Sequence, residues 1–277
     1  FICSHIVSKF NRPFYFKNIK VNVNLWCHIC CLQNSQKIHS MTDLLDIIQY
    51  SLNEAEKNPK NSITYASTDM LERKRRETEI SQAITKAIQE KSFKVYYQPI
   101  YSVAENKYTK MEALIRLIDE NLGFIPPDEF IPLAEKNGDI LVIGEIVLEK
   151  VCEFIEKTEP EKKGIKAIHI NLSVVQCMQE NIHIKLMNLI DLYKVPYGLI
   201  DFEITETTAD NTQVRLDEIM NNFKQKGIHF SLDDFGTGYS NQSNIIRYPY
   251  STIKIDKSLV WASEINPKAT TLLNTTI

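Results

Sequence analysis

Four carboxylates and one amide stand where apolar, strand-like runs carry or end on a polar residue. Glu112 lies inside Lys110-Met111-Glu112-Ala113-Leu114-Ile115-Arg116, Glu203 lies inside Asp201-Phe202-Glu203-Ile204-Thr205-Glu206, and Asp233-Asp234 closes the run that begins at Ile228. Asn171 closes a third run, and Lys254 and Asp256 end a further one. In α/β sheets, functional side chains collect at the carboxyl ends of the strands and in the loops that follow. Carboxylates gathered there would repel and raise one another's pKa unless cations neutralise them. An all-oxygen donor set suits Mg²⁺ or Mn²⁺ better than zinc. Adjacent aspartates suit two-metal phosphoester chemistry, one bridging two ions while the other holds the second. Arg116 could grip a phosphate with two N–H groups or instead pair with Glu112. Lys254 could stabilise developing charge or orient an attacking water, or simply be an exposed strand-end lysine.

These residues need a sheet to bring them together. Strand-like runs at Phe93–Tyr101, Tyr108–Leu117, Ile165–Leu172, Leu199–Thr205, Ile228–Asp233 and Tyr250–Ile255 alternate in their later part with helical segments at Leu141–Glu156, Ile182–Tyr193, Val214–Lys226 and Tyr239–Ile246. That alternation predicts a mostly parallel sheet with helices outside it. Phe235-Gly236-Thr237-Gly238-Tyr239-Ser240 follows the aspartate pair and offers two glycines for a tight turn.

The charged stretch Leu71–Glu79 runs without Gly or Pro into Ile80, Ala83, Ile84, Ala87 and Ile88 at helical spacing, which predicts a helical linker. Glu72, Glu77 and Glu79 interleave its basic residues, as on a solvated helix face rather than a nucleic-acid patch. Upstream, Ile19 to Leu32 reads as a strand and Thr42 to Lys57 as an amphipathic helix with Thr42 as its N-cap. The expected division is 1–69 for a small α+β segment, 70–91 for the linker and 92–277 for the α/β domain.

Composition excludes disordered and collagen-like classes: 43% of residues are hydrophobic, 24% are charged, and there are only 8 Gly and 10 Pro. A formal net charge of -3 calls for no nucleic-acid partner or anionic membrane surface. No stretch approaches the roughly 18 apolar residues that span a bilayer, and Phe1 begins without the pattern of a secretory signal. The expected location is cytoplasmic, with any membrane anchor belonging to a longer parent. The six cysteines are too few and irregular for a disulfide framework. Cys27, Cys30, Cys31 and His28 cluster locally, but no second Cys pair follows to complete a zinc site, so they are read as a buried strand that uses Cys as a small apolar residue.

Taken in order, Tyr97-Gln98-Pro99-Ile100, Glu112-Ala113-Leu114-x-Arg116, Asn171-Leu172-Ser173, Glu203-x-Thr205-Glu206, Asp233-Asp234-Phe235-Gly236-Thr237-Gly238-Tyr239-Ser240 and Ile253-Lys254-Ile255-Asp256 resemble the successive motifs of the EAL domain family of cyclic-di-GMP phosphodiesterases. The resemblance runs from about residue 90 to the end. It implies a modified TIM (β/α)₈ barrel that linearises cyclic di-GMP to pGpG with two Mg²⁺ or Mn²⁺ ions and is inhibited by Ca²⁺. By position it implies that Glu112, Asn171, Glu203, Asp233 and Asp234 are metal ligands, with Asp233 bridging and Asp234 on the second ion. Lys254 would contact the water or scissile phosphate, and Gln98, Leu114 and Arg116 would contact substrate. Glu206 would anchor the loop after Asp234, which in this family couples the site to a homodimer interface. The first region resembles, more loosely, the end of a degenerate GGDEF domain. Its Gly-Gly-Asp/Glu-Glu-Phe signature is absent from the chain, so no cyclase activity is implied.

Phe93 to Ile277 supplies about 185 residues and six strand-like runs, where a whole eightfold barrel takes about 250 residues. The expectation is a barrel truncated after its sixth strand, in a fragment of a longer protein. The family's late metal-binding glutamate and substrate-binding glutamine would fall beyond it. The alternative function is a catalytically inactive sensor of cyclic di-GMP or a protein-interaction module. The clustered carboxylates, taken alone, also fit a metal-dependent TIM-barrel lyase.

Overall fold

The computed structural model describes residues 2–17, 19–25, 27–29, 40–56, 63–65, 68–205, 213–236, 245 and 247–276. Contacts divide the chain into two compact units, Phe1–Gln82 and Ala83–Ile277.

The first unit holds helix α1 (Ile2–Lys9), the hairpin of β1 (Phe14–Phe16) and β2 (Ile19–Val21), the short β3 (Cys27–Ile29), helix α2 (Met41–Glu56), β4 (Ile63–Tyr65), and the beginning of α3 (Thr68–Glu90). β1 and β2 pair antiparallel, whereas β3 and β4 pair parallel. The single strand expected over Ile19–Leu32 is therefore two short ones. Asn22 and Asn24, poor strand residues, separate them. α2 starts two residues earlier than its Thr42 suggested. Ser40 Oγ accepts from the Asp43 N–H at 3.0 Å, and Asp43 Oδ2 accepts from the Ser40 N–H at 3.1 Å, so Ser40 is the reciprocal cap. α2 is tied to α3 by Tyr50, whose hydroxyl donates to Glu77 Oε1 at 3.1 Å, and by Asp43, which pairs with Arg75 at 2.9 Å. Cys27 is half-buried rather than a core residue, and Cys30 and Cys31 lie outside the described residues.

The second unit carries β5 (Lys94–Ser102), β6 (Lys107–Asp119), β7 (Gly123–Ile125), α4 (Pro127–Asn137), α5 (Ile140–Thr158), β8 (Ala167–Asn171), α6 (Val174–Cys177), α7 (Ile182–Leu192), β9 (Ile200–Thr205), α8 (Gln213–Lys226), β10 (His229–Phe235), β11 (Thr252–Ile255), α9 (Lys257–Ile265) and α10 (Pro267–Thr276). The expected helix over Tyr239–Ile246 lies, apart from Ile245, outside the described residues. The main sheet runs β11-β10-β9-β8-β6-β5, with β7 paired to β6. From β6 through β11 every pair on this path is parallel, while β5 runs antiparallel to β6.

The sheet curls. β6 and β11 are four strand spacings apart along it, about 19 Å if it were flat. Yet Lys110 Nζ on β6 donates to Thr252 Oγ1 on β11 at 2.8 Å. The result is an open part of a modified (β/α)₈ barrel. Its convex face is apolar: Ile168, Ile170, Phe202, Ile204, Phe230 and Leu232 are all buried. Phe202, Phe223 of α8 and Phe230 pack as tilted rings with centroids 5.2 to 6.0 Å apart, and α5 buries eight residues along one side. The alternate positions of the same strands face the concave side and are polar. Near the amino ends of these strands the buried Asp201 accepts from Ser231 Oγ at 2.7 Å and Ser251 Oγ at 2.6 Å, fastening three strands together below the site.

Candidate active site

Three carboxylates from three strands converge at the carboxyl end of the barrel. Glu112 on β6, Glu203 on β9 and Asp233 on β10 each offer an oxygen, and these oxygens all lie within 4.8 Å of one another. Parallel pairing accounts for the convergence. Ser231 is opposite Glu203 on the neighbouring strand and Asn171 is opposite Glu203 on the other side, so residues spaced by two share the concave face. Lys254 enters the same group from β11. Its Nζ donates to Glu112 Oε2 and Glu203 Oε2 at 2.9 Å each and lies 3.3 Å from Asp233 Oδ2. Burial pulls the Lys254 ammonium down, but Glu203, Glu112 and Asp233 outweigh it and its pKa rises well above the ordinary lysine value. Asn171 Nδ2 completes the group at 3.5 Å from Glu112 Oε1.

Two consecutive residues of a strand normally face opposite sides. Asp233 and Asp234 escape this because β10 shifts register against β11 between Leu232 and Phe235, and Asp234 takes a left-handed conformation with φ 55°. Asp234 thereby lines the same cavity as Asn171 and Glu203. Partial burial, then the charges of Asp233 and Asp256, push its carboxyl above the ordinary aspartate value. Gly236, two residues on at φ 98°, continues the turn.

The cavity has a volume of about 560 Å³ and lies between the strand ends and helices α4 and α5. Leu114 and Arg116 of β6 line it, with Pro127, Ile131 and Glu135 on α4 and Gly144 on α5. Arg116 does not pair with Glu112. Its guanidinium lies 5.8 Å from the Tyr96 ring centroid and donates to the Ile115 carbonyl at 2.8 Å. Gln98 faces Glu112 across the β5–β6 pair and is exposed, but it is not part of the cavity lining. Glu206 lies outside the described residues.

Sequence reasoning missed three contributors. Helix α4, with Pro127 at its start and Pro132 inside it, carries no plain helical signal yet builds one wall. His169 hides inside an apolar run. The third is the contact of Gly144 with Gln176. Gln176 and Ser173 cap α6 reciprocally, Gln176 Oε1 accepting from the Ser173 N–H at 3.0 Å and Ser173 Oγ from the Gln176 N–H at 3.3 Å. A Cβ on Gly144 would stand 2.0 Å from Gln176 Nε2. Gly144→Ala is therefore expected to expel the Gln176 side chain, undo the cap beside Asn171 and cost about 1–3 kcal/mol. A thermal melt checks this, and an unchanged midpoint would show that Gln176 repacks freely.

An open (β/α)-barrel with acidic residues, an amide and a lysine gathered at its carboxyl end beside a deep cleft is the class defined by fold and site. Residues 81–277 match the EAL domain, and the chain belongs to that family. Among curated relatives, the signaling protein YkoW of Bacillus subtilis is 27% identical over 266 residues, covering 95% of this chain and 33% of YkoW. The cyclic di-GMP phosphodiesterase PdeR of Escherichia coli is 26% identical over 261 residues, covering 94% of this chain and 39% of PdeR. This chain thus spans 33% to 39% of the length of these relatives. Among solved structures, the PaMucR phosphodiesterase in complex with c-di-GMP superimposes with a TM-score of 0.66 at 27% identity, covering 71% of this chain and 80% of that one. No helix among the described residues is long and apolar enough to cross a membrane.

Proposed function

We propose that the protein is a metal-dependent phosphodiesterase that hydrolyses cyclic di-GMP to linear pGpG in bacterial second-messenger signalling. The observation that carries this reading is the meeting of Glu112, Glu203 and Asp233 around Lys254, beside a cavity that Arg116 and Leu114 line. The naming of the relative PdeR and the ligand of the PaMucR structure support the substrate.

The donor set fits hard divalent cations: all its atoms are oxygens, and three carboxylates crowd together against the single charge of Lys254. Glu112, Asn171, Glu203, Asp233 and Asp234 would hold two Mg²⁺ or Mn²⁺ ions, with Ca²⁺ inhibitory. Bound there, the ions would supply an acidified water and offset charge on the phosphoryl oxygens. The remaining work falls to the chain's own side chains. Arg116 at the cavity wall binds a phosphate bridge of the dinucleotide through its N–H groups. Leu114 packs against the substrate, and Gln98 contacts it from the neighbouring strand. Lys254 keeps its proton at Nζ and donates it as a hydrogen bond to the phosphoryl oxygen or the attacking water. Pro127 and Ile131 narrow the cleft and exclude bulk water.

In the same reading, residues 1–69 are a GGDEF-like remnant and 70–91 a helical linker. Glu206 anchors the loop after Asp234 and couples it to a homodimer of EAL domains, and the chain works in the cytoplasm.

The test is an assay of the chain and of its full-length parent with cyclic di-GMP and Mg²⁺ or Mn²⁺, following pGpG alongside direct binding. Turnover that Ca²⁺ suppresses is expected of the full-length parent. Tight binding without product from the parent would overturn hydrolysis in favour of a sensor, and absence of both from the parent would overturn the substrate.

A further inference from the structure

His169 lies in the middle of β8, flanked in register by Glu112 on β6 and Asp201 on β9, and is only 1% exposed. Its neighbours of the same strand, Ile168 and Ile170, belong to the apolar convex face, so the imidazole is the one polar group this stretch sends beneath the carboxylates. Its Nδ1 stands 2.8 Å from Glu203 Oε1, with both side chains sealed from solvent. The two atoms are not aligned as a hydrogen bond, and among the described residues neither Nε2 nor Glu203 Oε1 has another hydrogen-bond partner. At 2.8 Å a bare nitrogen lone pair would repel a carboxylate oxygen, whereas an N–H brings the pair to an ordinary hydrogen-bonding separation. A buried imidazole and a buried carboxylate oxygen without partners would each cost stability, and each is the other's nearest remedy.

We infer that His169 is the positioning residue of Glu203. Once the imidazole turns to bring its Nδ1–H into line, it holds Oε1 from below, and this leaves Oε2, the oxygen that now accepts from Lys254, as the one presented to Glu112 and Asp233. A glutamate has three side-chain torsions to fix, and a grip on one oxygen removes the rotation that would turn the other away. Partners that orient a ligating carboxylate in this way typically change metal affinity or activity by 10- to 100-fold when removed. The inference rests on the metal-binding reading of the site.

The test compares Mn²⁺ binding, by electron paramagnetic resonance, in the unmodified chain, His169→Leu and His169→Asn, whose amide nitrogen can stand near the place of Nδ1. His169→Leu is expected to weaken Mn²⁺ by about 10- to 100-fold, and His169→Asn to recover affinity to within about threefold of the unmodified chain. KM for cyclic di-GMP should move less than twofold in the same variants, because His169 touches no part of the cleft that binds substrate. Unaltered Mn²⁺ affinity in His169→Leu would overturn the inference and leave the metal site standing. Absence of Mn²⁺ binding by the unmodified chain would instead overturn the metal reading and, with it, this role. Should His169→Leu fail to fold, imidazole ¹⁵N spectra of the unmodified chain decide the matter, with the His169 resonances assigned by their loss in His169→Asn. A protonated Nδ1 that shifts on adding Mg²⁺ supports the inference, and an Nδ1 without a proton overturns it.

Discussion

Replacing Glu112 with alanine is expected to lower kcat/KM for cyclic di-GMP on the order of 10³-fold, equivalent to about 4 kcal/mol of lost transition-state stabilisation. Glu112 is the only one of the three clustered carboxylates that comes from the β6 side of the curled sheet. Glu203 and Asp233 sit on neighbouring strands. Removing Glu112 leaves an acidic group with one side open and takes from Lys254 one of its two hydrogen-bond acceptors. Little of the fold depends on it, since its side chain is still partly exposed and β6 is held by full ladders to β5 and β8. Turnover with Mn²⁺, read together with a thermal melt, checks the point. Near-normal turnover in a folded variant would remove Glu112 from the site.

Lys254→Met is expected to move two properties in opposite directions. The ammonium bridges Glu112, Glu203 and Asp233, and the side chain of Glu203 is wholly buried. Without it the carboxylates repel one another, so the metal-free protein should lose about 3–5 kcal/mol, the usual result of stripping one partner from a buried ion pair. A divalent cation then faces no competing ammonium, and Mn²⁺ affinity should rise by about tenfold or more, while turnover falls by about 10²- to 10³-fold. Melting with and without Mn²⁺ separates the effects, because a tighter cation raises the midpoint by more. Weaker Mn²⁺ binding by the variant would mean that Lys254 organises the carboxylates instead of competing with the cation for them.

Much of this site is legible in the chain because polar residues interrupt apolar runs. Glu112 and Glu203 inside strand-like stretches, and Asp233-Asp234, Asn171 and Lys254 at their ends, have no place in a core, and the structure brings Glu112, Asn171, Glu203, Asp233 and Lys254 into one group. Six strands fall within about two residues of the runs that announce them. What escapes is set by longer-range geometry. The antiparallel entry of β5 depends on the short turn to β6, which the alternation of later strands and helices does not foreshadow. The α4 wall is built by a helix whose prolines mask its periodicity. His169 escaped notice because a lone histidine in Ala167-Ile168-His169-Ile170-Asn171 reads as a tolerated core residue. The signal was its spacing of two from Asn171, which puts both on one face.

The left-handed turn at Asp234 restricts which amino acids position 234 can accept. With φ at 55°, asparagine and glycine fit the backbone almost as well as aspartate, whereas valine or isoleucine would clash with it. Charge and conformation can therefore be varied separately at one residue. Asp234→Asn erases the anion and keeps the chain path, while a β-branched replacement disturbs the path whatever its polarity. A library randomised there and sorted only for folding should return Asp, Asn and Gly, and the same library sorted for turnover should return Asp alone.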